Sequence, residues 1–315
     1  MPRVRANVVD LEYDSIGRDG DPVILLIMGF ATPLTGWPDW LCDGLAGKGF
    51  RVIRFDNRDI GRSTHLTEAG VPDLPAMIAS ADAGTPAAAP YSLGDMAADA
   101  AGLLDALGIG RAHVAGASMG GMIAQLVAIN HPAKAKSLIS IMSTTGRHDV
   151  SQPRPDAFAA ILAPPASAKR EDRIARGMSV LRVIGSPGFP ATDAQLRAIV
   201  TRGVDHAPYD PPGILRQMAA VLAASPRNDR FRRLKLPALV VHGADDPLIP
   251  ATAGEDTANS IPGAELLIVP GMGHDFPEAL APVYLDAIGD FAAKVEAAER
   301  SGAAVPAFAP RRGFA

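Results

Sequence analysis

The stretch VAGASMGGMIAQ, Val114 to Gln125, decides the fold. It sets Ser118 between Gly116 and Gly120 in a G-x-S-x-G pattern, after an apolar run at 112–117 and before a helix-like run. A strand that turns directly into a helix at a serine forces strained backbone angles there. Glycines at 116, 120 and 121 remove the side chains that would collide across such a turn. The serine hydroxyl is therefore expected to project beyond the sheet. The helix that follows starts with unpaired N–H groups and the positive end of its dipole beside the serine, so negative charge forming on a nearby oxygen is stabilised. Met119 is expected to supply one of those N–H groups.

Outward from this bend, short runs rich in Val, Ile and Leu recur at 23–28, 51–55, 137–142, 238–242 and 265–269. None alternates apolar with polar residues as a sheet with one wet face would, so they predict buried parallel strands. Helical patterns lie between several of them. From Leu93 to Leu107 the apolar residues Leu93, Met96, Ala97, Ala100, Leu104 and Leu107 share a face, Ser92 with Asp95 forms a capping box, and Gly108 stops the helix. A second pattern runs from Met119 to Asn130 and closes at His131-Pro132. This alternation predicts an α/β fold, a mostly parallel central sheet flanked by helices.

Between about 146 and 233 the alternation breaks, and helical patterns at 174–184, 192–200 and 214–222 follow one another between proline-rich turns. That segment reads as an inserted helical cap on a core made of residues 1–145 and 234–300. The Ala/Pro stretch at 81–90 and the aperiodic tail at 301–315 read as loosely docked or flexible. Met178, Leu181, Ile184, Phe189, Met218 and Leu222 are the apolar cap residues expected to roof a pocket.

A serine hydroxyl becomes a useful nucleophile only when a base removes its proton, and the base needs a carboxylate behind it. Strand ends offer both. Gly271-Met272-Gly273-His274 follows the run at 265–269, and Asp245-Asp246-Pro247 follows the run at 238–242. Loop geometry does not choose between the two acids. The chain order Ser, Asp, His suits this strand arrangement. A second oxyanion donor is expected at Gly29-Phe30, after the run at 23–28. His65, His113, His131, His148 and His206 show no metal-ligand spacing with a nearby acid and read as solvated or core-satisfied groups, and His242 as a structural support of the acid loop. No metal and no cofactor is expected.

Composition sets the outer limits. A chain of 315 residues with 48% hydrophobic content can bury a full core, and a formal net charge of -4 without a basic block argues against a nucleic-acid surface. The alternating start MPRVRANVVDLEYD has no secretory h-region, and no later run approaches the length of a membrane helix, so a cytoplasmic protein without a membrane partner is expected. The single cysteine, Cys42, excludes an intrachain disulfide and reads as a packed thiol. Monomer and homodimer both remain open.

Taken together, MGFATPLTGWP (28–38), VIRFDNRDIGRST (52–64), AADAAGLLDALGI (97–109), AHVAGASMGG (112–121) and VPGMGH (269–274) resemble the α/β-hydrolase superfamily over about residues 8–291. More narrowly they are similar to aclacinomycin methylesterase-like carboxylesterases. The resemblance implies a triad of Ser118, Asp246 and His274, with the acid standing immediately before the proline. It also implies an oxyanion hole from the Phe30 and Met119 amides, and structural roles for Asp56 and Arg58. The family's common His-Gly after the third strand is Met28-Gly29 here. The implied activity is hydrolysis of a small carboxylic ester through an acyl-enzyme, and the apolar cap residues point to an apolar acyl or aromatic part. A lactone hydrolase, a carbon-carbon bond hydrolase and a cofactor-free perhydrolase use the same residues. A non-catalytic ligand-binding protein of the same fold is the reading from a different class.

Overall fold

The computed structural model describes residues 1–82, 88–206 and 208–302. Residues 83–87 of the Ala/Pro stretch at 81–90 and the tail beyond 302 lie outside the described residues. The strands are β1 (Arg3–Ala6), β2 (Val9–Ile16), β3 (Val23–Ile27), β4 (Arg51–Phe55), β5 (Ala112–Ala117), β6 (Ala135–Ile141), β7 (Ala238–Gly243) and β8 (Glu265–Val269). They form an eight-stranded sheet in the order β1-β2-β4-β3-β5-β6-β7-β8. Pairing is parallel from β4 through β8, while β2 runs antiparallel to both β1 and β4.

The six parallel strands, β3 to β8, coincide with the apolar runs of the sequence. The reason is visible in β3, where Val23, Leu25 and Ile27 join one apolar cluster while Ile24 and Leu26 join the other. Both faces are dry, so alternation is lost. The β1–β2 hairpin was not anticipated as strand. Its residues alternate because β1 and β2 lie at the sheet edge, and Asn7 makes the turn with φ 54°.

Helices α1 (Asp39–Gly47), α2 (Leu74–Asp82), α3 (Leu93–Ala106) and α4 (Met119–Asn130) precede β6. The apolar faces of α3 and α4 cover one side of the sheet, and Leu41, Cys42 and Leu45 of α1 cover the other. Burial pushes the Cys42 thiol up to about 12, so it stays protonated and packed. The Ser92–Asp95 capping box opens α3 in both directions, side chain to backbone and back.

Among the described residues the elements between β6 and β7 are all helical, with α5 (Pro155–Leu162), α6 (Arg170–Ile184), α7 (Asp193–His206), α8 (Pro211–Leu222) and the short α9 (Asn228–Phe231). Three of them were legible as periodic runs; α2, α5 and α9 were not. This helical segment departs from the sheet and returns to it at one knot of hydrogen bonds. The Arg227 N–H donates to Thr145 O at 3.0 Å, its Nη2 to Thr144 O at 2.8 Å, and its Nε to Gln125 Oε1 on α4 at 3.0 Å. All three acceptors are neutral, and burial lowers the guanidinium to about 10. After β7 come α10 (Ala251–Ser260), α11 (Ala281–Leu285) and α12 (Phe291–Ser301), the last packing Phe291, Ala292 and Val295 into the core. Among the described residues no helix is long and apolar enough to cross a membrane.

Candidate active site

The carboxyl ends of β3, β5, β7 and β8 lie on one edge of the parallel sheet, where open α/β sheets place their ligands. The segments that carry Gly29-Phe30, Ser118, Asp245-Asp246 and His274 all lie at that edge.

Ser118 stands alone between the last residue of β5 and the first of α4, with φ 56° and ψ -123°. This region is costly for any residue with a Cβ, by about 1–3 kcal/mol, and persists only where neighbours impose it. Here they do. The Ser118 N–H donates to Ile141 O at 2.9 Å, and Ser143 Oγ donates to Ser118 O at 2.8 Å, so β6 and the turn after it hold the bend from both sides. A Cβ on Gly116 would lie 2.0 Å from Gly120 O, and one on Gly120 would lie 2.0 Å from Ile27 O. The glycines are there for close approach. Met119 opens α4, so its N–H has no partner within the helix and points from the helix N-terminus beside Ser118.

Gly29 brings the loop after β3 against the same serine. A Cβ there would sit 3.1 Å from Ser118 Cβ and 3.7 Å from its Oγ. The loop is fixed by groups the sequence did not single out. Asn57 Nδ2 donates to Met28 O at 2.9 Å, and the Ala31 N–H, at φ 55°, donates to Gln217 Oε1 at 3.0 Å. Gln217 is a fully buried residue of α8, and its Nδ-equivalent amide, Nε2, donates to Arg58 O at 2.8 Å.

The two adjacent acids after β7 face opposite ways. Asp246 is turned inward, where Oδ1 accepts from the Leu248 and Ile249 N–H groups at 2.9 and 2.8 Å and Oδ2 lies 2.7 Å from His274 Nδ1. Asp245 is exposed and accepts from the Gly271 N–H at 2.8 Å, so it braces the histidine loop without touching the ring. His242 Nε2 donates to Ile249 O at 2.8 Å and pins the acid loop, and burial lowers this imidazole's pKa so that it stays neutral.

The loop that carries His274 is held by the insertion. His274 N–H donates to Ile184 O at 2.7 Å, Gly273 N–H to Ser186 Oγ at 2.8 Å, and Gly188 N–H to Gly271 O at 2.9 Å. Ser186 Oγ in turn donates to Asp275 Oδ1 at 2.5 Å. Burial raises the Asp275 carboxyl above the usual carboxylate range, against the opposing pull of the Ser186 bond. On the core side, Tyr284 donates its hydroxyl to Asp275 O at 3.3 Å.

Ser118, Met119, Phe30 and His274 all line one cavity of about 1760 Å³ between the sheet edge and the insertion. Leu181, Ile184, Phe189, Met218 and Leu222 contribute to its wall, and Met178 does not. The wall stripe of α6 runs through Arg173, Arg176, Gly177, Val180, Leu181 and Ile184, which is a helical face that leaves position 178 on its flank.

Of the remaining histidines, His148 also lines this cavity and the others do not. His113 is buried with Nδ1 2.8 Å from Ser137 Oγ and Nε2 3.1 Å from Glu296. His131 caps the C-terminus of α4, and His148 lies beside Gln152. His65 and His206 have carboxylate partners that their spacing in sequence hid: Asp210 at 2.5 Å and Asp56 at 2.8 Å. Two groups, Glu12 with Asp56 and His206, and Asp59 with His65 and Asp210, bring ligand-type atoms within 4.8 Å of one another. In the second group the cationic place is already taken by Arg216, which forks onto Asp59 at 2.9 and 2.7 Å; in the first, Arg62 lies 3.7 Å from Glu12. Asp56 otherwise accepts from the Leu34 and Arg62 N–H groups, and Arg58 forks onto Asp99 at 2.6 and 2.7 Å, so both serve the loop after β4.

Comparison with known proteins agrees with this architecture. Residues 22–176 match the family described as the alpha/beta hydrolase fold. The chain is 28% identical over 292 residues to rhodomycin D methylesterase DauP of Streptomyces sp. (strain C5), covering 86% of this chain and 91% of that one. It is 26% identical over 272 residues to a 2-hydroxy-6-oxononadienedioate/2-hydroxy-6-oxononatrienedioate hydrolase of Burkholderia vietnamiensis (strain G4 / LMG 22486), covering 84% of each. Among solved structures, the enol-lactonase of Burkholderia xenovorans LB400 superposes with a TM-score of 0.67 at 22% identity, over 93% of this chain and 100% of that one, a likeness of fold. A strand-turn-helix bend at Ser118, a parallel sheet with an antiparallel edge and these matches together identify the α/β-hydrolase fold in this chain.

Proposed function

We propose that the protein is a serine hydrolase that cleaves a small carboxylic ester through an acyl-enzyme, with Ser118, His274 and Asp246 as its triad. The observation that carries the reading is the 2.7 Å bond between His274 Nδ1 and Asp246, on a histidine that lines the same cavity as Ser118. Residues 146–233 act as a cap over a core of residues 1–145 and 234–300, and the cap's Leu181, Ile184, Phe189, Met218 and Leu222 favour an apolar acyl or aromatic group.

Asp246 keeps the Nδ1 proton of His274 in place and stabilises the imidazolium as it forms. Nε2 takes the proton of Ser118 Oγ while Oγ bonds to the ester carbonyl carbon. The carbonyl oxygen becomes an oxyanion held by the Met119 and Phe30 N–H groups. Collapse breaks the ester C–O bond, and the imidazolium gives its proton to the departing alcohol. Water, deprotonated by the same imidazole, attacks the acyl carbon and releases the acid, returning the proton to Ser118.

The relatives' names include a methylesterase and a dienedioate hydrolase, and one fold neighbour is an enol-lactonase. The test is a panel of p-nitrophenyl esters, lactones and vinylogous 1,5-diketone acids, together with a fluorophosphonate probe. Wild-type protein takes the label and turns over aryl esters, and S118A does neither. A wild-type protein that ignores the probe and every ester would leave the reading of a non-catalytic binding protein in its place.

A further inference from the structure

The insertion does more than cover the cavity, because the end of α6 is bonded to the loop that carries His274. Three main-chain or side-chain acceptors and donors of residues 184–188 meet residues 271–275, and the approach is close enough to require glycine on both sides. A Cβ on Gly273 would lie 2.4 Å from Gly185 O, and one on Gly188 would lie 2.7 Å from Gly271 Cα. In the middle of this seam one side chain works in both directions. Ser186 Oγ receives the Gly273 N–H at 2.8 Å and gives its own proton to Asp275 Oδ1 at 2.5 Å, spanning the two neighbours of His274 in sequence. Ser186 is 4% exposed, so water does not substitute for either bond without entering the seam.

Resting on the triad reading above, we infer that Ser186, with Asp275 as its acceptor, is a positioning residue for His274, supplied by the insertion to fix the imidazole against Asp246 and toward Ser118. The His274 main chain is anchored on its N–H by Ile184 O, and the residues on either side of it are joined through a single hydroxyl. With φ and ψ of 273–275 set in this way, the ring has one direction in which Nδ1 meets Asp246. Without the hydroxyl, the Gly273 N–H and the Asp275 carboxylate lose their common partner. The loop, rich in glycine, then samples other directions, and misplacement on the scale of 1 Å at a reacting group costs up to about 100-fold in rate. The charges that act on the Asp275 carboxylate include His274, which favours its ionised form, and Asp246, which opposes it.

The experiment compares S186A, D275A and D275N with wild type on p-nitrophenyl butyrate and on a fluorophosphonate, with thermal melting as a check on folding. S186A and D275A are expected to lower kcat about 10- to 100-fold with KM within about twofold, and to slow labelling of Ser118 in the same proportion. D275N keeps an acceptor oxygen for the hydroxyl and is expected to recover most of the loss seen in D275A. The double variant S186A/D275A should lose no more than the worse single one, since both remove the same link. Wild-type kcat and labelling rate in a folded S186A would overturn the inference while leaving the triad reading intact. If S186A does not fold, D275N as slow as a folded D275A overturns it instead. Failure of wild-type protein to label at all would be a failure of the triad reading, which is a different result.

Discussion

At the scale of the residue, the site is a set of side chains whose directions are set by main-chain partners. Two neighbouring acids, Asp245 and Asp246, could not be told apart by local geometry in the sequence, and the choice of Asp246 came from resemblance alone. The structure separates them by hydrogen bonds: one carboxylate accepts two N–H groups of its own loop and meets His274, the other stays outside and braces Gly271. D246N is therefore expected to lower kcat by about three to four orders of magnitude, and D245N by less than about tenfold, in steady-state turnover of an aryl ester. Ser118 carries a different prediction. Its φ of 56° is a conformation that glycine adopts without strain, so S118G should unfold at higher denaturant than S118A, by about 1 kcal/mol. An equal midpoint for the two variants would show that the bend stores no strain.

Among the elements, the central strands and the two helices flanking the bend were legible because burial on both faces or on one stripe leaves a pattern within a single segment. The β1–β2 hairpin and α2, α5 and α9 were not, being short or at the edge, where few apolar positions record the fold. Met178 shows the limit of helical spacing. It is an apolar residue of α6 like Leu181 and Ile184, yet the cavity wall follows a neighbouring stripe. Ser186 and Gln217 left no trace in the sequence at all. A polar residue bonded to partners 87 and 186 positions away looks, locally, like any other. Gln217 supports the turn at Ala31 from α8, and Q217L would leave the Ala31 N–H and the Arg58 carbonyl without their partner. We expect a loss of stability of about 2–4 kcal/mol in urea unfolding, and a fall in kcat larger than any rise in KM, because the Phe30 amide rides on the same turn.

For the molecule as a whole, acid sensitivity follows from histidines kept neutral inside it. Burial lowers the pKa of both His113 and His242 from the ordinary value of 6.5. A folded-state value below the unfolded one gives stability that is complete above pH 6.5 and is lost as pH falls, because the unfolded chain takes up protons first. Glu296, drawn down to about 2 by the His113 bond, adds a second loss that begins only below its ordinary 4.5. The melting temperature is thus expected to decline from pH 7 to pH 5, before the Glu296 contribution begins to fall, and more steeply below. H113Q should flatten the first part of that decline, measured by calorimetry across the range.

The knot at Arg227 gives the molecule one further property. Because the chain leaves the core at Thr144–Thr145 and returns at Arg227 through direct bonds, the core meets the intervening residues almost as it would meet a loop with closed ends. A foreign segment grafted between those points should leave the sheet folded. It would nevertheless arrive without a hydroxyl for residues 273 and 275 or an amide for residue 31. Such an exchange would also strand the buried Asp59 carboxylate that Arg216 now pairs, so it would cost the core some stability as well as turnover.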